Sequence, residues 1–170
     1  RYDNAIDTYS ECLELKIKRF GREHRETSII LFNLATAYAE KGAIEEAITL
    51  YEEALRLERK ELGRNHPDLA STLQSIGQLY YRCGEQEKAI AYLNEALQIT
   101  KQQGEPEANR TKVFKLLNIL GIVHLMSADI PKMMEYLNEA LRLQNKMLDD
   151  NEVDFLVVGG YTLYQMSRLC

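Results

Sequence analysis

Leu31-Phe32-Asn33-Leu34-Ala35-Thr36-Ala37-Tyr38 and, 42 residues on, Leu73-Gln74-Ser75-Ile76-Gly77-Gln78-Leu79-Tyr80 decide the fold. In the first stretch Leu31, Leu34, Ala35 and Tyr38 stand at i, i+3, i+4 and i+7, which is one face of an α-helix. Leu73, Ile76, Gly77 and Tyr80 repeat that face, and Leu117, Leu120, Gly121 and His124 repeat it again 44 residues later. A second pattern follows each copy. Gly42, Ala47 and Ala54 become Gly84, Ala89 and Ala96, then Ala128, Met133 and Ala140. A half copy, Ala5, Tyr9 and Cys12, precedes Ala47, Tyr51 and Ala54 by the same 42 residues. Each unit therefore reads as two antiparallel helices with a Gly-marked turn between them. The recurring small residues let the paired helix axes approach closely.

Working outward gives eight predicted helices, at 2–19, 26–40, 43–62, 67–82, 85–102, 106–126, 130–147 and 152–168. Pro67, Pro106 and Pro131 each suit a first helical turn, and Asp129 suits a cap. The chain divides into a half repeat 1–25, repeats 26–66, 67–105 and 106–150, and a half repeat 151–170. Unpaired helices at both ends expose apolar faces, so a longer chain or partners at the uncapped ends are expected.

These residues resemble the tetratricopeptide-repeat (TPR) pattern of L-G-x-x-Y followed by A-x-x-x-F and A. The unit of 42 residues, with its Leu62-Gly63-Arg64-Asn65-His66-Pro67-Asp68 linker, is similar to the repeats of kinesin light chains. The extra length over a standard repeat of about 34 residues lies in the second helix and its exit loop. The chain lacks Trp and carries His124 and Met133 where Tyr and Ala are usual. The resemblance implies an all-α, TPR-type α-solenoid, a right-handed superhelix of antiparallel helix pairs. It also implies a non-catalytic scaffold or adaptor whose first helices line a concave groove for a peptide or partner protein. By that register the groove residues are Phe32, Asn33, Thr36, Gln74, Gln78, Tyr81, Arg82 and Asn118, with Ile29 and Ser71 among the wider lining. Asn and Gln can satisfy an extended peptide's backbone, and Phe32 and Tyr81 can anchor apolar side chains. A regulatory sensor arm of a multidomain signalling protein and a structural subunit of a large assembly are the other readings this family allows.

Charge separates the two helices of a repeat. The segment 43–62 carries Glu45, Glu46, Glu52, Glu53, Arg56, Glu58, Arg59, Lys60 and Glu61, whereas 27–40 carries only Glu40. The second helix thus reads as the solvated outside, with pairs such as Glu52–Arg56 at i, i+4. A net charge of -5 with no basic cluster argues against nucleic acid, and the groove lacks the Lys/Arg cluster that clamps an acidic C-terminal tail. No apolar run reaches the ~18 residues a membrane helix needs, and no secretory leader is visible, so a cytoplasmic protein without membrane insertion is expected. Cys12, Cys83 and Cys170 are too scattered for a disulfide framework, and the first two read as small buried side chains. His24 and His66 stand 42 apart as equivalent linker or capping residues, and His124 as core. No motif for a nucleophile, a metal or a phosphate is present, so no catalytic residue, metal or cofactor is assigned.

Overall fold

The structure is a computed structural model that describes residues 2–104 and 107–149. Seven α-helices run through the described residues: α1 Tyr2–Phe20, α2 Arg25–Lys41, α3 Ile44–Leu62, α4 Leu69–Arg82, α5 Gln86–Gln102, α6 Glu107–Met126 and α7 Ile130–Asp149. They match the first seven sequence-predicted helices to within two residues at each end. The eighth, with Gly159-Gly160 and Cys170, lies outside the described residues, as does Pro106. The chain forms two compact units, 1–92 and 93–170, with the boundary inside α5.

Local chemistry sets the helix ends. His24 has an extended backbone and its Nδ1 accepts the Glu26 N–H at 3.1 Å, capping α2. His66 repeats this, with Nδ1 accepting the Asp68 N–H at 3.2 Å. His24 is thus the cap of α2, while His66 makes the same bond in the turn before α4, whose own cap position is Asp68. Pro67 differs slightly from expectation. It sits in a turn just before α4, and its carbonyl accepts the Ala70 N–H at 3.1 Å. Asp129 does cap α7, its Oδ1 accepting the Lys132 N–H at 3.2 Å.

The turn inside each repeat is one motif used three times. After α2, the N–H of Ala43 reaches back to the Tyr38 carbonyl; after α4, Glu85 reaches Tyr80; after α6, Asp129 reaches His124. Such closure places one residue in the left-handed region. That residue is Gly42 at φ 89°, Gly84 at φ 78° and, in the third copy, Ala128 at φ 55°. A Cβ there costs roughly 1 kcal/mol. Ala128→Gly is therefore expected to stabilise the second unit by about 0.5–1 kcal/mol in chemical denaturation, strain relief outweighing the entropy Gly adds to the unfolded chain.

In the first unit, α1 packs over the α2–α3 pair. Ile6, Leu34 and Ala37 form one buried cluster, and Leu31, Ala54 and Leu57 another, with Leu13 and Leu50 touching both. The small residues meet their expectation, since Ala35, Ala47, Ala54 and Ala89 are fully buried. Ion pairs fasten the linker before α2. Arg22 grips Glu53 with two bonds of 2.7 and 3.0 Å. Glu23 accepts two from Arg56, at 2.6 and 3.1 Å, and one from Lys60 at 2.8 Å. Hydrogen bonds from Arg56 and then Lys60 pull the Glu23 carboxyl down to about 2. The expected Glu52–Arg56 pair is not the one formed. Arg56 turns to the Glu23 carboxylate, while Glu52 accepts the Tyr80 and Tyr92 hydroxyls at 2.8 and 3.2 Å. Cys12 is half-buried and Cys83 exposed, both as free thiols. The buried reading of Cys83 fails because it closes α4, just where the chain turns outward into Gly84.

In the second unit, α6 and α7 form the helix pair, and Phe114, Leu117, Leu120, Val123, Met133, Leu137 and Ala140 fill their interface. His124 is 3% exposed and stacks on Tyr136, centroids 5.3 Å apart and planes 17° from parallel. Tyr80 and Tyr92 make the same stack one repeat earlier, at 5.6 Å and 12°. Among the described residues neither His124 ring nitrogen has a hydrogen-bond partner. Burial pushes its pKa below the ordinary 6.5, against the pull of Asp129. The unfolded chain then binds the proton more readily than the folded one, so stability is full above pH 6.5 and falls as pH drops below it. His124→Tyr, which restores the stacked tyrosine of the earlier repeat, is expected to remove this acid-side loss of melting temperature between pH 7 and 5.

Candidate functional site

The face expected to bind belongs to the first helices of the repeats, here α2 and α4. An open cavity of about 240 Å³ lies in the first unit where α2, the last turn of α3 and the start of α4 converge. Its floor is apolar, made by Ile29, Phe32 and Leu62. Ile29 is 44% exposed, high for an isoleucine inside a helix. Phe32 is half-buried, edge-on to Tyr51 with centroids 5.1 Å apart, so its ring is held rigidly. Tyr51 is fixed in turn by a 2.8 Å hydrogen bond between its hydroxyl and Thr36 Oγ1. Asn33 and the exposed Ser71 add neutral hydrogen-bonding groups.

The walls are charged. Glu58 and Glu61 come from the end of α3, Asp68 from the turn before α4, and Arg25 from the start of α2. Arg25 reaches Asp68 at 3.6 Å, a loose pair. Glu58 is half-buried, and its Oε2 accepts the hydroxyl of the fully buried Thr72 at 2.9 Å. Burial raises its pKa above the ordinary 4.5, against the Thr72 hydrogen bond, which lowers it. A raised carboxyl means that the folded state holds the proton more tightly than the unfolded one. Ionisation therefore weakens the fold as pH rises from about 4.5 towards neutrality. Glu58→Gln keeps an acceptor for Thr72 and removes the charge. It is expected to raise the melting temperature by about 1–3 °C at pH 7, with no gain at pH 4, in paired thermal scans.

Of the sequence-predicted residues, Phe32 and Asn33 line this cavity. Thr36 serves it indirectly by holding Tyr51. Gln74, Gln78 and Tyr81 continue along the same stripe of α4 as Ser71, all half-buried, and Arg82 is exposed at the helix end. Asn118 does not belong on an open surface. It is 6% exposed, and its amide donates to the Phe114 carbonyl at 2.8 Å within α6. One turn before it α6 carries the buried Phe114 where α4 has Ala70, so the same repeat position is more enclosed here.

The acidic wall was missed. Glu58 and Glu61 were read as part of the solvated outer face of α3. The signal lay in the length of the repeat: a longer second helix carries its last turn beyond its own partner and towards the start of the next pair.

Other cavities differ in character. On α3, Arg56, Arg59, Lys60 and Arg64 border an opening of about 470 Å³. Two of those cations are already held by Glu23. In the second unit Lys101, Arg110, Arg142 and Lys146 border one of about 460 Å³. Both are bordered mainly by cations, with Tyr92 the aromatic side chain on the first.

Comparisons with known proteins agree with this architecture. The family model described as tetratricopeptide repeat matches residues 1–60 and 39–102. A search of curated proteins gives no match. Among solved structures, the chain is similar to BtubC (BKLC) from P. vanneervenii at 25% identity and a TM-score of 0.79, over 86% of this chain and 58% of that one. It is also similar to a Podosopora anserina protein with nearly identical TPR-like repeats. There the identity is 19% and the TM-score 0.75 over 86% of this chain and 68% of that one, and a related structure scores 0.74 at 19%. The chain thus spans 58% of the length of the BtubC structure. With the helix pairs in register and the family model covering more than half its length, the chain belongs to the tetratricopeptide-repeat family and has its all-α solenoid fold.

Proposed function

We propose that this chain is a non-catalytic adaptor that holds a peptide segment of a partner protein in the groove formed by α2, the end of α3 and the start of α4. The observation that carries the reading is the floor of that groove. An exposed isoleucine and an immobilised phenylalanine lie beside Asn33 and Ser71. Apolar anchors ringed by neutral hydrogen-bonding groups suit a peptide whose side chains dock while its backbone is satisfied. At about 240 Å³ the cavity is smaller than the roughly 300–1,000 Å³ of sites for drug-sized molecules, which fits side chains better than a cofactor. Gln74, Gln78, Tyr81 and Arg82 extend the surface along α4, so a longer segment has somewhere to continue. No helix among the described residues is long and apolar enough to cross a membrane. The free thiols of Cys12 and Cys83 suit a reducing compartment such as the cytoplasm.

The test is paired affinity capture from native lysate with the unaltered chain and with Ile29→Asp. Ile29 is exposed, so the variant is expected to keep its helicity by circular dichroism. A protein captured by the first and lost by the second supports the groove. Capture of the same proteins by both moves the working surface elsewhere on the chain.

A further inference from the structure

The chemistry of the groove selects the kind of segment it takes, an inference that rests on the peptide-holding reading above. Four charged residues line the cavity, and three of them are carboxylates: Glu58, Glu61 and Asp68 against Arg25. Arg25 is turned to Asp68. That leaves Glu58 and Glu61 facing the opening, the former accepting the neutral hydroxyl of Thr72. The half-buried Glu58 carboxylate loses hydration, and the charge of Arg25, paired with Asp68, offsets less than burial takes away, so a cost persists in the free protein. A cation arriving with a ligand would remove it. An arriving carboxylate would add to it.

The apolar floor narrows the choice further. Ile29, Phe32 and Leu62 lie within the same cavity as the two glutamates. A small hydrated cation would leave that floor wet. A lysine or arginine side chain would not, since its methylene stem covers apolar surface while its charged end stays with the carboxylates. An aliphatic neighbour in the same peptide covers the remainder of the exposed Ile29.

We propose that the α2–α3–α4 groove recognises a basic–aliphatic peptide motif. A Lys or Arg places its charged end between Glu58 and Glu61, and an adjacent aliphatic residue packs on Ile29 and Phe32. Acidic segments are rejected by the same two carboxylates. The preference is a difference between ligands, made partly by repulsion.

The test is a displayed library of random dodecapeptides selected on the 170-residue chain and counter-selected on two groove variants, Ile29→Asp and Ser71→Arg. Both substitutions are at exposed positions, and each variant's helicity is checked by circular dichroism. Peptides that bind only the unaltered chain are resynthesised with a fluorescein label and titrated by anisotropy. The expected result is Lys or Arg beside an aliphatic residue in the selected sequences. Replacing that basic residue by norleucine is expected to weaken binding about tenfold, the scale of one partly buried charge-assisted contact. Glu58→Gln with Glu61→Gln is expected to bind both versions equally. Groove-dependent peptides without a basic preference, or with an acidic one, overturn this inference and leave the peptide-holding reading intact. Absence of any groove-dependent peptide overturns both.

Discussion

Gly121→Leu is expected to unfold the α6–α7 pair at temperatures where the unaltered chain is fully helical. A Cβ placed on Gly121 would stand 2.6 Å from Leu137 Cδ2 and 2.9 Å from its Cγ. Real side chains do not approach so closely, and leucine adds three more carbons beyond the Cβ. Leu137 is 2% exposed, so it has nowhere to retreat except into Met133 and Ala140, both also buried. Overpacking of a filled core costs about 1–3 kcal/mol for modest insertions, and a whole leucine side chain driven onto Leu137 exceeds a modest insertion. Hydrogen exchange followed by mass spectrometry reads the effect directly, as lost protection over residues 109–147. Unchanged protection there would mean that Gly121 is not the close-contact position of its repeat. Gly121→Ala is the milder companion. Its single methyl still crowds Leu137 Cδ2 and Cγ but adds no carbons beyond, and a smaller loss is expected.

Leu73→Ala should be nearly as damaging in the first unit, by the opposite route. Leu73 is fully buried, and its counterparts Leu31 and Leu117 are 2% and 0% exposed. Removing three carbons there leaves a void that the rigid helix pair closes only in part. The cost of a Leu→Ala change at such a site is about 2–5 kcal/mol. In a chain of this size that corresponds to a fall in melting temperature of roughly 5–15 °C. A solvent-facing leucine provides the control. Leu15 is 61% exposed, and Leu15→Ala is expected to shift the midpoint by less than about 2 °C. Equal effects from the two substitutions would contradict the register on which the helix pairs were read.

The repeat was legible because it is a matter of small residues and spacing. Gly42, Gly84 and Ala128 mark the same turn, and Ala47, Ala89 and Met133 the same close contact, whatever lies around them. A glycine or alanine recurring at fixed intervals leaves few alternatives, since no other residues allow such turns and axis distances at low cost. His24 and His66 could be read as equivalent linker residues for the same reason: each ring accepts the N–H two residues on.

The groove was only half legible. Phe32 and Asn33 follow from register along α2. Glu58 does not, because whether a glutamate near the end of a helix meets water or a cavity depends on where the next repeat begins. That is fixed by the linker at 63–68 and by long-range contacts such as the Thr72–Glu58 hydrogen bond, which have no periodic signature. Asn118 erred for a related reason. Its position in the repeat is that of Gln74, but it is 6% exposed and its amide is taken up by the Phe114 carbonyl, Phe114 standing where α4 has Ala70. Glu52 shows the same limit in miniature. Helical spacing offered it Arg56, and two tyrosine hydroxyls took it instead.

The fold and the proposed function also pull against each other at one residue. Glu58 weakens the first unit at neutral pH, and Glu58→Gln is expected to relieve that. The same substitution is expected to erode the preference for a basic ligand. A more stable, less selective variant is the pattern of a residue retained for binding rather than for folding.

The most direct test of the central claim is amide hydrogen exchange of the chain with and without the tightest groove-selected peptide, a saturating excess of that labelled dodecapeptide serving as the ligand. Added protection concentrated in residues 25–33 and 58–71 is the predicted result. Protection confined to the basic face of α3 around Arg56 and Arg64, or to α6 and α7, would contradict the assignment of the groove as the binding site.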